Sequence, residues 1–234
     1  MTNESLASTL VEHQTLGRTD MARLLAGAPD GLRFEHCNFD GADLAQLNLR
    51  ASRFTDCTFA QTSFEKCMLA DTQWLRCKAG RVNFRLADLS DAAFNHCDLN
   101  NSSWSLAKLG AVTFNEVKLT GAGFGGAQTL GLRFVESLLV GADLRGISFR
   151  KQQLTRLNLS DADLGGCDFR DAIFDGGSLC DANLKGAQFD GADLRTVDLG
   201  GLQLGQLLQH FKGAQISVDQ ASALMAGVGV CVRW

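Results

Sequence analysis

The residues whose numbers end in 4 or 9 form an unbroken apolar series from Phe34 to Leu204. These 35 positions hold 14 of the 15 phenylalanines, 17 leucines and two tryptophans, and only Ala79 and Thr129 depart from the pattern. A five-residue period cannot hold one face of an α-helix, because the apolar stripe would move around its surface. Simple strand alternation also fails, because its period is even. The series therefore predicts a short extended segment followed by a corner, repeated along the chain.

A second restricted position lies two residues before each of these centres. Twelve of these positions are alanine and six are cysteine, whereas the remaining three positions of each five-residue unit are mostly polar residues or glycine. Each unit is therefore expected to bury one large and one small side chain and to expose three. This count predicts a narrow, filled core and a polar surface.

Every fourth centre shares a residue type, which indicates the number of sides in one coil. Seven of the nine centres in the column that starts at Phe34 are aromatic, against two of nine in the column that starts at Phe39. The cysteines Cys37, Cys57, Cys77 and Cys97 repeat with the same 20-residue period. A solenoid stacks equivalent positions of successive coils, so the period predicts four sides.

Units such as Gly41-Ala42-Asp43-Leu44 and Gly191-Ala192-Asp193-Leu194 match the motif A(D/N)LXX. Over residues 31–206 the chain resembles the pentapeptide-repeat family. The resemblance implies an all-β fold, a right-handed quadrilateral parallel β-helix, with the large and small residues pointing inward. On this basis residues 31–216 are predicted to form the β-helix.

The two ends lie outside the repeat. Residues 1–30 are predicted to form a short N-terminal helical cap, with a helix that is capped by Thr19, runs through Ala26 and closes at Gly27, and Pro29 prevents its continuation. Residues 217–234 are predicted to form a C-terminal helix, opened by a capping box from Ser217 to Gln220, and a strand over Val230-Cys231-Val232.

The segment from Gln220 to Val230 resembles the C-terminal tail of the quinolone-resistance (Qnr) proteins, which are pentapeptide-repeat dimers that protect DNA gyrase and topoisomerase IV. The resemblance implies a homodimer joined through this segment, with Leu224, Met225 and Val228 at the interface. It also implies a non-catalytic protein that binds a type II DNA topoisomerase and modulates it or protects it from quinolone-like inhibitors.

The acidic residues offer a candidate partner-binding corner. Asp143 is predicted to stack on Asp163, and Asp161 on Asp181, which could imitate the phosphates of DNA locally. The competing interpretation is that an aspartate before the centre bonds the backbone of a turn, as a feature of the repeat itself. Residues 31–206 hold 21 acidic and 18 basic residues, so uniform imitation of DNA is excluded. This near balance, and the absence of the loops that interrupt the coil in many Qnr proteins, favour the alternative of a generic protein–protein scaffold with an unrelated partner.

Enzyme chemistry and metal binding find little support. Six of the eight cysteines occupy the small interior position, no CxxC motif is present, and the four histidines have no setting that resembles a catalytic triad. We expect no metal, no cofactor and no catalytic residue, and we expect the interior cysteines to be free thiols, with Cys180 the reactive one. The net charge of −4 argues against direct nucleic-acid binding.

The N-terminal sequence does not have the form of a signal peptide, and no apolar run is long enough to span a membrane. The expected compartment is the cytoplasm, with no membrane partner.

Overall fold

A computed structural model describes residues 9–27 and 31–233, which form two compact units. The first unit contains residues 9–27, 31–118 and 126–133, and the second contains residues 119–125 and 134–233. In chain order, the elements are β1 (Leu10–Glu12), α1 (Arg18–Gly27), β2 (Arg33–Glu35), β3 (Arg53–Thr55), β4 (Gln73–Leu75), β5 (Ala93–Asn95), β6 (Thr113–Asn115), β7 (Arg133–Val135), β8 (Gln153–Thr155), β9 (Ile173–Asp175), α2 (Leu204–His210) and α3 (Val218–Gly227).

The strands of each unit pair in parallel with the predicted 20-residue register. In the first unit Phe34 pairs with Phe54, and Trp74 pairs with Phe94. In the second unit, Leu154 of β8 pairs with Phe174 of β9. The other three sides are joined by single parallel bridges with the same spacing: Asn38 with Thr58, Asp43 with Ser63, and Asn48 with Met68. The prediction of a right-handed quadrilateral parallel β-helix with helices at its ends is confirmed.

The aromatic centres stack along the interior of the first unit. The ring centroids of Phe34 and Phe54 lie 5.2 Å apart with nearly parallel planes, and Trp74 lies 4.3 Å from Phe54 and 5.3 Å from Phe94. Aromatic pairs at such distances contribute about 0.5–1.5 kcal/mol each beyond the area they bury. The second unit has its own column, in which Phe169 stacks on Phe149 at 4.9 Å and on Phe189 at 4.7 Å.

The corners of the coil use left-handed backbone. Nearly all residues with positive φ have numbers that end in 1 or 6, and they include bulky residues such as Arg76 (φ 51°) and Leu106 (φ 59°) as well as glycines. Such a conformation costs a non-glycine residue about 1–2 kcal/mol. The cost is offset by hydrogen bonds at each corner; for example, Gly41 N donates to Ala60 O at 2.8 Å, and Ala42 N to Phe39 O at 3.0 Å.

Cys37, Cys57, Cys77 and Cys97, which share one column, are buried and free, as expected. Their thiols bond to the backbone: Cys57 Sγ donates to Thr55 O at 3.3 Å and accepts from Cys37 N at 3.4 Å. Burial raises the pKa of the Cys57 thiol to about 12, so it stays protonated and can donate. The small position therefore carries a hydrogen-bonding role here in addition to packing.

The N-terminal segment begins as a part of the coil and only then becomes a helix. β1 pairs with β2, and Val11 and Leu16 point into the core, a feature that the prediction of a helical cap did not include. Helix α1 starts at Arg18, so Thr19 lies inside it and is not its cap, and the carboxylate of Asp20 accepts the Gly17 N–H at 3.1 Å. Met21 of α1 is fully buried. Pro29 lies outside the described residues.

At the C-terminal end, the two residues inserted between Leu204 and Phe211 are accommodated by α2, which was not predicted within the β-helix. After the insertion Phe211 returns to the core and stacks on Phe189 at 4.5 Å. Ser217 and Gln220 form the predicted capping box of α3. The Gln220 side chain also donates to Leu194 O at 2.8 Å and Val197 O at 2.7 Å, so it satisfies two carbonyls of the last coil.

The strand predicted over Val230–Val232 is wrong: residues 230–233 are not in a strand. The Val230 N–H instead donates to Met225 O at 2.9 Å and closes the end of α3, after Gly229 has taken a left-handed φ of 81°. An extended segment becomes a strand only when a neighbouring strand pairs with it. The described helices are all too short or too polar to cross a membrane.

Candidate partner-binding surface

The structure divides the predicted acidic corner, Asp143, Asp161, Asp163 and Asp181, into two pairs with different surroundings. Asp143 and Asp163 lie on one flat side of the coil and face each other across a parallel bridge. Asp161 and Asp181 occupy the preceding corner, where both backbones are left-handed, with φ of 57° and 54°. All four side chains belong to the second unit.

Asp143 and Asp163 are neutralised by a basic neighbour. Arg145 donates to Asp143 through Nε, at 2.8 Å from Oδ1, and through Nη2, at 2.7 Å from Oδ2. This bidentate pair lowers the pKa of Asp143. Arg145 Nε also lies 3.5 Å from Asp163 Oδ2. The guanidinium therefore bridges two carboxylates that would otherwise repel each other.

Asp163 has a second, local role. Its Oδ1 accepts the backbone N–H of Gly165 at 3.0 Å and the side-chain amide of Asn183 at 3.0 Å. The same two-residue bond recurs along the repeat, for example from Arg170 N to Asp168 Oδ1 at 3.0 Å. At this side of the coil the aspartates are thus used as turn-stabilising residues, as one of the two interpretations expects.

Asp161 and Asp181, by contrast, have no ion-pair partner within residues 9–27 and 31–233. Asp198, which follows on the neighbouring side, has none there either, although its Oδ1 accepts Gly200 N at 2.9 Å. We call Asp161, Asp181 and Asp198 the unpaired acidic patch. The position of Asp198 in it was not foreseen, because the 20-residue columns do not show contacts between adjacent sides.

The pKa of the Cys180 thiol is affected by the carboxylates of this patch. Cys180 Sγ donates to Asp181 Oδ2 at 3.3 Å. The pKa of Cys180 is raised, first by this hydrogen bond and by loss of solvent, and then by the charges of Asp181, Asp198 and Asp161. Three carboxylates therefore act on the same small area, and they do so without a cation beside them in the described residues.

Close packing fixes the position of Asp181. A Cβ at Gly201, which has a φ of 78°, would lie 2.1 Å from Asp181 Oδ1. A side chain at residue 201 would displace this carboxylate, and the glycine leaves space for it in its present position.

Several other acidic residues of the second unit have basic partners. Arg170 binds Asp168 at 2.8 Å and Arg195 binds Asp193 at 2.7 Å, and each pair lowers the pKa of its aspartate. Arg156 pairs with Glu136 and lowers the pKa of that glutamate. These acidic residues are thus neutralised locally, whereas Asp175, Asp190 and Asp219, like the unpaired acidic patch, make no ion pair within the described residues.

Two protein-family models match the repeat of this chain. Residues 32–104 match the model of a pentapeptide repeat region, and residues 87–126, 133–171 and 162–201 match the model of pentapeptide repeats in eight copies. The chain belongs to the pentapeptide-repeat family. No curated protein matches its sequence.

Among solved pentapeptide-repeat structures, three of QnrB1, described as a plasmid-mediated fluoroquinolone resistance protein, are similar to this chain. Two trypsin-treated variants give TM-scores of 0.61 and 0.55, at 19% and 18% identity, each over 97% of this chain and 98% and 100% of that one. Full-length QnrB1 gives 0.52 at 21% identity, over 95% of this chain and 98% of its own. At this identity the likeness shows the pentapeptide-repeat fold.

The predicted interface residues of the C-terminal segment have unequal exposure. Leu224 is buried against the protein's own last coil, Met225 is half-buried, and Val228 is 51% exposed. Val230 and Val232 beyond the helix are 49% and 45% exposed. The large apolar side chains exposed in residues 217–233 of the pentapeptide-repeat chain are therefore these three valines and Val218 of α3, which is 56% exposed.

Two cavities lie in the second unit on either side of the loop at residues 199–203. One, of about 330 Å³, is lined by Asp181, Leu184 and Gln206 among others, and the other, of about 370 Å³, lies between the last coil and α3. In the described part of the chain, no cluster of three or more histidine, cysteine, aspartate or glutamate side chains is arranged to hold a metal ion.

Proposed function

We propose that this pentapeptide-repeat protein is a non-catalytic binding protein that contacts a type II DNA topoisomerase, DNA gyrase or topoisomerase IV, and modulates it or protects it from quinolone-type inhibitors. Two observations support the proposal. The structures of the fluoroquinolone resistance protein QnrB1 have the same fold over nearly the whole chain. The sequence from Gln220 to Val230 resembles the tail of the Qnr proteins.

The unpaired acidic patch is the observation that carries the proposal. A surface that binds DNA presents cations, and a protein competes for such a surface by presenting anions where the phosphates would lie. Asp161 and Asp181 occupy the same corner in adjacent coils, about 4.8 Å apart along the stack, and have no neutralising partner in the described residues. Asp143 and Asp163 are compensated by Arg145, so we assign the contact to Asp161, Asp181 and Asp198.

The test is a gyrase supercoiling assay, with and without a quinolone, over a titration of the protein. We expect the wild type to change the inhibition curve, and the double variant Asp161→Asn with Asp181→Asn to lose most of this effect. The matched control is Asp168→Asn with Asp193→Asn, which also removes two charges, but from aspartates already paired with arginines. It should retain the effect.

A wild type that leaves gyrase and topoisomerase IV unchanged at every ratio, with and without the quinolone, would contradict the proposal. The scaffold with an unrelated partner would then be the better explanation, and the near balance of 21 acidic and 18 basic residues over residues 31–206 favours it. Equal losses in the test and control variants would also contradict the assignment to the unpaired acidic patch, because the effect would then follow net charge alone.

We further propose that the protein is a homodimer joined through its C-terminal segment. The exposed valines at 228, 230 and 232 form an apolar end that a second copy would bury, and a twofold contact lets the same patch serve both chains. Because Leu224 packs inside its own protomer, Val228→Asp with Val230→Asp is the informative variant. We expect light scattering to give a dimer for the wild type and a monomer for this variant.

The control for the dimer is Leu130→Asp, which places a charge on a leucine that is 90% exposed in the first unit. It should remain dimeric. A monomeric wild type, or a dimeric double-valine variant, would rule out this interface.

A further inference from the structure

A shallow pocket in the first unit is lined by polar side chains that the proposed topoisomerase contact does not use. It has a volume of about 230 Å³ and is lined by His36, Asp56, Cys57, Thr58, Arg76 and Lys78. His36, Asp56 and Arg76 occupy the same left-handed corner in three successive coils. Thr58 and Lys78 are bridged to each other on the adjoining side. The 20-residue register thus brings together side chains that are far apart in the sequence.

Asp56 orients the guanidinium of Arg76 and leaves some of its N–H donors without an acceptor in this pair. Its Nε donates to Asp56 Oδ1 at 2.8 Å and its Nη2 to Asp56 Oδ2 at 2.7 Å. The pKa of Asp56 is lowered by this bond, so the pair stays ionised at neutral pH. A guanidinium has five N–H donors in a fixed plane, so the bidentate bond orients Arg76 and leaves its Nη1 for another acceptor.

Lys78 supplies a second cation. It makes no ion pair within the described residues, although Asp98 follows it in the same column. The carboxylate of Asp98 instead accepts the backbone N–H of Asn100 at 3.2 Å. Arg76 and Lys78 together exceed the single negative charge of Asp56, so the pocket is cationic.

Thr58 supplies a hydroxyl that has no partner. Its Oγ1 is buried and makes no hydrogen bond in the part of the chain that the structure describes. Buried polar atoms are almost always paired with protein, water or a ligand, so this hydroxyl has its hydrogen-bonding capacity available for a group bound in the pocket. His36 closes the rim, where its ring stacks on that of His13 with centroids 5.0 Å apart and an angle of 7°.

We propose that this pocket binds a phosphate group, as free phosphate or as a phosphate monoester. A phosphate has several acceptor oxygens on a small tetrahedron, so it can accept from the guanidinium, the ammonium and the hydroxyl at the same time. A flat carboxylate offers two oxygens in one plane and satisfies fewer of these donors. The contact is independent of the unpaired acidic patch, which lies in the other unit.

The test is a titration of the full-length protein with inorganic phosphate and with phenyl phosphate, at constant ionic strength, followed by amide chemical shifts. Saturable shifts are expected at residues 56–58 and 76–78. Lys78→Gln should weaken binding about tenfold, the loss expected for one charge-assisted hydrogen bond. Thr58→Val, which has the same shape without the hydroxyl, should weaken binding by several-fold while the midpoint of unfolding stays the same or rises.

Lys118→Gln is the matched control, because Lys118 lies one coil beyond Asp98 in the same column, as Lys78 lies one coil before it. Its affinity should stay within about twofold of the wild type. Tighter binding of phenyl phosphate identifies a monoester as the ligand, and equal binding identifies free phosphate. Shifts that rise linearly without saturation, equal losses in Lys78→Gln and Lys118→Gln, unchanged affinity in Thr58→Val, or acetate binding as tightly as phosphate would each overturn the proposal.

Discussion

The indole nitrogen of Trp74 donates a hydrogen bond to Thr72 Oγ1 at 3.0 Å, inside the core. The other interior tryptophan is paired in the same way, since Trp104 Nε1 donates to Ser102 Oγ at 2.7 Å. In both cases the small position before the tryptophan carries a hydroxyl instead of alanine or cysteine. Each tryptophan thus occupies a position that phenylalanine holds in the coil before it. The buried indole N–H is satisfied there because the residue two positions earlier carries a hydroxyl.

Thr72→Val should therefore destabilise the fold by about 1–3 kcal/mol, because it leaves a buried N–H without an acceptor. Chemical denaturation measures the change. In the Trp74→Phe background, which has no indole N–H, the same substitution should cost much less. Equal costs in the two backgrounds would show that the hydrogen bond does not matter.

The cysteines should react in a defined order when the native protein is treated with an alkylating agent. Cys231 is exposed and should react first, ahead of Cys180, which was predicted as the reactive thiol. The pKa of Cys180 is raised by Asp181, so it holds less of the thiolate that reacts. The buried Cys57 and Cys167, with pKa values of about 12, should react only on unfolding.

Mass spectrometry of the labelled peptides over time tests this order. Asp181→Asn should speed the labelling of Cys180 and leave that of Cys231 unchanged. Rapid labelling of all eight thiols in the native protein would contradict the interior placement of the six buried cysteines.

Low pH should lower the free energy of unfolding, because the paired aspartates lose their negative charge. The pKa of Asp168 is lowered in the folded state by its hydrogen bond with Arg170. Its contribution to stability is therefore complete above the unfolded value of about 3.9, and is lost as the pH falls through the lower folded value. Denaturant unfolding from neutral pH to about pH 2 should show this loss, and Arg170→Gln should reduce it.

The control for the acid effect is Lys151→Gln, which removes a charge that has no ion-pair partner in the described residues. Its pH dependence should match that of the wild type. An Arg170→Gln variant with the pH dependence of the wild type would show that the pair contributes nothing.

Gly177 should tolerate no side chain. Its φ is 89°, and a Cβ there would lie 2.1 Å from Leu157 O. Gly177→Ala must therefore move the backbone of a neighbouring coil, and we expect a loss well above the cost of a left-handed alanine alone, which is about 1–2 kcal/mol. Gly141→Ala provides the comparison, because Gly141 has a φ of 63° and open space around it. Similar losses in the two variants would show that the contact relaxes easily.

The five-residue pattern was sufficient to predict the fold and its core. Phe34, Phe54 and Trp74 lie in one stacked column, as their 20-residue spacing indicated. The pattern could do this because every repeat makes the same contacts with the coil below it, so one register specifies all of them. It could also indicate the capping box at Ser217, since that motif is local.

The sequence by itself determined which side chains point inward and how many sides a coil has, because these depend on a period that every repeat shares. The tertiary structure alone decided which charges stay unpaired. Asp143 and Asp161 each stack on an aspartate 20 residues later, but Arg145 reaches the first, and no cation in the described residues forms an ion pair with the second. Ion pairing depends on the direction of long side chains and on contacts between adjacent sides, and no sequence period encodes either. The course of the last residues was likewise set by the structure, since Val230 forms a strand only where a partner strand is present.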